Sequence, residues 1–249
     1  MVKISKRLET VASLVTQGGV LADVGTDHGY VPIYLLQQHR IARAIAMDIG
    51  NGPLERAKEH IAMYRMGQYI ETRLSDGVAA LAPEEVDSIV IAGMGGGLVI
   101  HILEAGEPVC RAAKELILQP QSELEKVREY LNRAGYVTTA EDMVFEDGKY
   151  YPMMRVRYDA AAESSESRGE DSAEPSQSDE YVVFCRYGRG LLEQRHPVLQ
   201  EYLNRERQIL EQILGNLKNQ EKTGQITARI SEVEENLRLN KKAGEFYEQ

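Results

Sequence analysis

Cysteine is scarce: the chain of 249 residues has two, Cys110 and Cys185, far apart and with no pairing motif around either. That excludes a disulfide framework and a cysteine zinc site, and since the histidines and acids lack ligand spacing too, no metal is expected. Long apolar runs are also missing. No stretch approaches the roughly 20 uninterrupted apolar residues that a membrane span needs, and the opening MVKISKRLETVASLV is amphipathic with an acid inside it, unlike a signal peptide. A reduced, cytoplasmic protein that keeps clear of membranes is the expectation. Positive charge is in short supply as well, with a formal net charge of −10. Taken as a sum, this discourages a nucleic-acid partner; its distribution matters more. Residues 161–179 hold six acids and one base, whereas 180–249 balance at eleven of each, so the basic residues there can still line one face. With 43% hydrophobic residues the chain can bury a real core, and its length suits an enzyme.

What is present falls into three parts. Residues 161–180 are the first to stand out: AAESSESRGEDSAEPSQSDE holds no aliphatic side chain larger than alanine, cannot offset its ordering entropy, and reads as an acidic flexible linker. Upstream, over 1–160, apolar runs alternate with helical patterns: VLADVG then VPIYLLQQ, AIAMDI then PLERAKEHIAMY, SIVIAGMG then LVIHILEAG, ELILQP then ELEKVREYLNRAG. Alternation of that kind predicts an α/β fold, a Rossmann-like, mostly parallel sheet with helices on both faces. At YVTTAEDMVFEDGKYYPMMRVRY the connection shortens to a few residues around Asp147 and Gly148, which forces an antiparallel pair. A parallel sheet ending in an antiparallel hairpin separates the class I S-adenosylmethionine-dependent methyltransferase fold from the nicotinamide dehydrogenases. Downstream, over 181–249, Leu199, Leu203, Leu210, Ile213 and Leu217 recur at helical spacing, as do Ile226, Ile230, Val233 and Leu237, predicting a C-terminal α-helical coiled-coil hairpin. Its stripes either pack on each other and on the main domain or recruit a partner.

The candidate site lies at the strand ends. DVGTDHGY follows the first apolar run, where an open α/β sheet binds nucleotides. Gly25 and Gly29 bare the backbone, but the loop is G-x-x-x-G, with Asp27 inside it, and not the dinucleotide fingerprint. A carboxylate there would repel a pyrophosphate, whereas S-adenosylmethionine carries an ammonium and a sulfonium and no phosphate, so Asp23 and Asp27 make electrostatic sense. Thr26 lies between them. Asp48, with Ile49 after it, closes the second run at the distance from which an acid accepts ribose hydroxyls; a helix cap is its other reading. Ser75, Asp76 and Gly77 end the third run, either meeting the adenine amino group or forming an ordinary turn. In SIVIAGMGGGL, Gly93, Met94, Gly95, Gly96 and Gly97 leave a smooth trough suited to a flat base sliding past the cofactor.

Together these elements resemble the TrmK family, bacterial methyltransferases that modify N1 of adenine 22 in tRNA. The resemblance runs over nearly the whole chain: SKRLETVASLV, ADVGTDHGYVPIYL, MDIGNGPLERA, SDGVAAL, IAGMGGG, LILQPQSE, FEDGKYYPMMRV, and YGRGLLEQRHPVLQEYL leading into the helical hairpin. It implies an N-terminal methyltransferase domain, a C-terminal coiled-coil domain, S-adenosylmethionine as cofactor and tRNA as partner, with a monomer expected. The N1 lone pair carries no proton, so such a reaction needs placement and charge management more than acid–base chemistry. N1 lies on the Watson–Crick edge, so the base must be unpaired or extruded and then held. His28 and Tyr30 are the candidates to hold it, although Tyr30 also fits the packed face of the next helix. Asp27 faces either the cofactor's ammonium or the cationic product ring. Met94 packs against cofactor, base or core. Arg7 reaches the methionine carboxylate or an RNA phosphate, and Gln119 the base edge. For RNA docking, Arg186, Arg189, Arg195, Lys218 and Lys222 flank the hairpin and supply phosphate contacts, a solvated charged face being the plainer reading. Two rivals stay open: a methyltransferase of the same fold acting on another RNA or a small molecule, and a non-catalytic RNA-binding protein.

Overall fold

A computed structural model describes residues 2–162, 178–221 and 223–248. The chain divides into two compact units, Met1–Arg168 and Gly169–Gln249.

The first unit runs α1 (Lys6–Leu14), β1 (Val20–Val24), α2 (Tyr30–Gln37), β2 (Arg43–Asp48), α3 (Asn51–Met63), β3 (Ile70–Leu74), β4 (Ser88–Met94), α4 (Gly96–Ala105), α5 (Glu107–Ala112), β5 (Glu115–Pro120), α6 (Leu124–Arg133), β6 (Tyr136–Glu146) and β7 (Lys149–Tyr158). Its seven strands form one sheet in the order β3-β2-β1-β4-β5-β7-β6. The first five are parallel, and β7 runs antiparallel to both β5 and β6. Only Asp147 and Gly148 join β6 to β7, both at positive φ (49° and 78°), the backbone that a two-residue hairpin turn requires and that an Asp-Gly pair supplies.

Strands buried on both faces need continuous apolar sequence, and β5 is buried throughout. Alternate residues then serve opposite faces. Ile89, Ile91, Leu116 and Leu118 pack with Leu103 of α4 and Val127 of α6, whereas Leu21, Val90 and Ile117 pack with Val11 of α1, Ile33 of α2 and Ile61 of α3. Strand order reverses between β1 and β4, so a crevice opens at their carboxyl ends, the usual ligand site of such sheets.

The second unit contains α7 (Asp179–Tyr187), α8 (Arg189–Glu193), α9 (Pro197–Lys218) and α10 (Gly224–Glu245). Cross-contacts show α9 and α10 to be antiparallel: Tyr247 Oη donates to the His196 carbonyl (3.0 Å), Asn240 Nδ2 to the Leu203 carbonyl (3.0 Å), and Lys218 pairs with Glu234 (2.9 Å). Leu199, Leu203, Val233, Leu239 and Ala243 are buried, while Leu210, Ile213, Leu217, Ile226 and Ile230, nearer the connecting loop, are half-buried. The pair is thus anchored at the end that α7 and α8 cover. Helix α7 begins inside the stretch expected to be linker, because Ser178 Oγ caps the Tyr181 N–H (3.1 Å) and Asp179 is held by Arg238 (2.6 Å) and Lys242. The order of the second unit therefore starts before residue 181. Residues 163–177 of the expected linker, and Lys222, lie outside the described residues. Among the described residues no helix is long and apolar enough to cross a membrane.

Candidate functional site

The loop that follows β1 turns back by placing Gly25 (φ 74°), Asp27 (φ 42°) and Gly29 (φ 68°) in left-handed backbone. The amides of Gly25 and Thr26 both donate to the Met47 carbonyl (2.8 and 2.9 Å), which ties the loop to the end of β2. Behind it, the buried Asp23 carboxylate accepts from Thr26 Oγ1 at 2.6 Å. Burial pushes the Asp23 carboxyl up to about 6, the Thr26 hydrogen bond opposes the shift, and the Asp48 charge adds to it. Thr26 is itself buried, so it holds the loop from within instead of facing a ligand.

Asp27 already has a cationic neighbour within the protein. Arg56 of α3 forks onto its Oδ1 (Nε 3.1 Å, Nη2 2.5 Å) and His28 Nε2 lies 3.3 Å from its Oδ2, so its charge already meets a guanidinium. His28 and Tyr30 do come together, with ring centroids 5.1 Å apart and planes within 14°, and His60 of α3 joins both. Neither Arg56 nor His60 stood out in the sequence. Both lie on the helix after Asp48, and only the rotation of that helix against the sheet turns them toward the loop.

Asp48 closes β2 as expected, and its Oδ1 accepts from the Gly50 amide at 2.8 Å. Ile49 beside it is 69% exposed and Leu74, opposite Asp48 in register, is 56% exposed, so the acid is rimmed by open apolar surface that suits a purine. Ser75 is buried and committed to its own turn, its hydroxyl donating to the Gly77 carbonyl (2.9 Å) and accepting from the Ala80 amide (3.1 Å). The exposed Asp76 is the residue of that turn that faces outward.

The glycine run has two functions, and a smooth trough describes only part of it. Gly93 (φ 82°) faces the cavity side: a Cβ there would lie 3.4 Å from Arg7 Nη1 and 3.6 Å from Gln121 Nε2. Arg7 Nη1 donates to Oε1 of the fully buried Gln119 (2.8 Å), and its guanidinium lies 5.5 Å from the Tyr151 ring centre. Arg7 is thereby held at the carboxyl ends of β4 and β5. Met94 is half-buried, with its Cε 2.4 Å from where a Gly25 Cβ would stand, so it closes over the β1 loop. Gly95 sits 3.3 Å, by its missing Cβ, from Ser122 Oγ. Gly96 belongs to packing, since a Cβ there would meet the Ser122 carbonyl at 2.5 Å, while Ser122 Oγ and Glu123 Oε2 accept from the Gly96 and Gly97 amides (3.3 and 3.1 Å). The β5–α6 loop thus caps α4, a pairing across 26 residues of sequence that a motif cannot display.

Among the docking candidates, Arg186 is tied into the helical unit by Asn236 (2.7 Å) and Glu206 (3.6 Å). Arg189 pairs with Glu193 (2.7 Å) over Phe184, Lys218 with Glu234, and Arg195 is exposed. No group of three or more His, Cys, Asp or Glu that could hold a metal is found among the described residues.

This crevice joins a loop in left-handed backbone, an acid at the end of β2 and an apolar rim, a lining that fits a sulfonium nucleoside. A family profile described as a methyltransferase domain matches residues 4–154. The tRNA (adenine(22)-N(1))-methyltransferase of Bacillus subtilis is 41% identical over 152 residues, 61% of this chain and 64% of that protein. The alignment to that relative therefore spans less than two thirds of its length. Structural likeness reaches further. The B. subtilis m1A22 tRNA methyltransferase TrmK matches with a TM-score of 0.80 at 30% identity, covering 98% of this chain and 99% of that one. A Streptococcus pneumoniae protein in complex with S-adenosyl-L-methionine matches at 0.78 and 31%, covering 97% and 99%. With the methyltransferase profile spanning the sheet and the likeness to TrmK running from end to end, the chain belongs to the TrmK family of methyltransferases.

Proposed function

We propose that this protein transfers the methyl group of S-adenosylmethionine to N1 of an adenine in tRNA, at position 22. The observation that supports the reading is the carboxyl edge of the sheet beside the β1–β4 switch point, where a bare, acid-bearing loop with its ring cluster follows β1 and an acid with an apolar rim closes the neighbouring β2. The cofactor, when bound, supplies an electrophilic methyl group. Asp48 takes the ribose hydroxyls, and Ile49 with Asp76 and Gly77 borders the adenine. The backbone of Gly25 and Gly29, with Asp23 and Thr26 behind it, carries the loop along the cofactor. Gly93, Met94 and Gly95 line the passage beside Arg7, which takes a carboxylate or phosphate oxygen. His28 and Tyr30 hold the extruded base. Because N1 attacks with an in-plane lone pair and releases no proton, these residues have only to orient it and exclude water.

Residues 1–160 serve as the methyltransferase domain and the helical unit from Ser178 onward as the tRNA-docking domain, with Arg186, Arg189, Arg195, Lys218 and Lys222 contacting phosphates. The protein works as a cytoplasmic monomer. The test is to incubate it with labelled S-adenosylmethionine and an unmodified tRNA transcript, digest to nucleosides and look for 1-methyladenosine. Label in that nucleoside, lost when adenine 22 is replaced by guanine, is the expected result. Cofactor binding without label in RNA would overturn the substrate, and no cofactor binding would overturn the activity.

A further inference from the structure

Helix α3 grips the β1–α2 loop through one face. Arg56 and His60 lie one turn apart and so project together. Arg56 forks onto Asp27 Oδ1, while His60 Nδ1 stands 3.1 Å from the His28 carbonyl oxygen. Between them Ala57 Cβ and Ile61 Cγ1 come within 3.7 Å of where a Gly29 side chain would begin. The rings of His28, Tyr30 and His60 are 5.1, 5.2 and 5.2 Å apart, with planes within 25° of parallel. A column of three would set its outer rings about twice as far apart as its neighbours. These rings form a closed triangle, in which His60 touches both of the others.

The loop has reason to need a hold. Asp27 sits at φ 42° without being glycine, a conformation that persists only where its surroundings enforce it. His28 Nδ1 is buried and has no hydrogen-bond partner among the described residues, so the ring is kept in place by stacking and by its contact with Asp27. The Arg56–Asp27 pair, by contrast, is about half exposed on both sides, and pairs of that kind add little to stability.

We propose that Arg56 and His60 are positioning residues for methyl transfer: from α3 they set Asp27, His28 and Tyr30 in the arrangement that receives the base and the cofactor. This rests on the reading of the crevice given above. Displacing reacting groups by about an ångström costs on the order of 100-fold in rate. Arg56→Met and His60→Asn are therefore expected to lower kcat about 10- to 100-fold, with KM for tRNA changed less than about threefold. His60→Phe keeps the ring and should recover most of that loss. Two readouts need no turnover. In the ligand-free protein, the ring-proton resonances of His28 should shift in His60→Asn and stay near their original positions in His60→Phe. Affinity for S-adenosylhomocysteine should fall in Arg56→Met, and should fall no further when Arg56→Met is added to Asp27→Asn, because the arginine acts through that carboxylate. Thermal melting of each variant separates misfolding from misplacement, with Arg56→Lys as the milder substitution. Unchanged kcat in both variants, losses that simply follow the melting temperature, or additive losses with Asp27→Asn would overturn the proposal. If the unaltered protein methylated no tRNA, the reaction would fall, while the ring spectra and S-adenosylhomocysteine affinities would still decide whether α3 sets the loop.

Discussion

Adding one methyl group at Gly96 tests which part of the glycine run serves packing. An alanine Cβ there would stand 2.5 Å from the Ser122 carbonyl oxygen, 2.9 Å from Glu123 Cβ and 3.0 Å from Val127 Cγ2. The first of these is backbone, so the β5–α6 loop must move as a whole. Forcing a methyl into filled space costs about 1–3 kcal/mol. The moving loop also carries Ser122 Oγ and Glu123 Oε2 away from the Gly96 and Gly97 amides, and lost caps cost about 0.5–2 kcal/mol. Alanine returns up to about 1 kcal/mol of helix propensity, less at a helix's first residue. The net is a loss of about 2–3 kcal/mol, or roughly 5–10 °C in the melting temperature of a unit this size. Gly97→Ala is the control: its Cβ would meet only Glu123 Oε2, the far end of a flexible side chain, at 3.3 Å, and should cost less than about 0.5 kcal/mol. The chain has no tryptophan, so calorimetry or tyrosine near-ultraviolet dichroism is the suitable readout. Equal stability of the two variants would refute the packing account and return Gly96 to the ligand passage.

Asp23 predicts a pH dependence. Its carboxyl is raised from 3.8 to about 6 by burial, so the folded state binds the proton more tightly and stability declines as pH rises from about 4 through 6. The decline is on the order of 3 kcal/mol, and Asp23→Asn should flatten it in urea titrations of the ligand-free protein; an unaltered pH profile would exclude the burial account. Arg7→Ala removes the donor to a fully buried Gln119 oxygen, so unfolding should become easier by about 1–2 kcal/mol, and methyl transfer should fall as well; a loss of stability with full activity would place Arg7 outside the site. In the helical unit, Arg186→Ala should lower stability by about 1–2 kcal/mol by removing the hydrogen bond to Asn236 and the cation beside Glu206. Arg195→Ala should leave stability unchanged, weaken tRNA binding and reduce the salt slope by about one; the opposite pattern in filter binding and unfolding would reverse the two roles.

The features that could be read from the sequence are those whose cause is local. Alternation of VLADV with VPIYLLQQ needs only neighbouring residues to declare a strand and a helix, and Asp147–Gly148 declares its own turn because few other pairs adopt two positive φ angles in succession. Asp48 and the glycines of the β1 loop belong to the same class, since the strand end that carries each is fixed by the pattern around it. What stayed hidden depends on pairs distant in sequence. Asp27 is 29 residues from Arg56, and nothing in GTDHG tells whether its charge will stand free or meet a cation. Gly96 reads as part of a bare passage because the loop that fills its space begins 26 residues later. Arg186 reads as an outward cation until Asn236, fifty residues on, takes its hydrogen bond. In each case the residue type was noted correctly and its role depended on the rotation of one element against another, a quantity set by core packing as a whole. A glycine records that something approaches closely and leaves open from which side. The same holds for an acid in a binding loop, and for this reason the ring triangle and its arginine, and not the motif that first drew attention, are where the placement of the base should be tested.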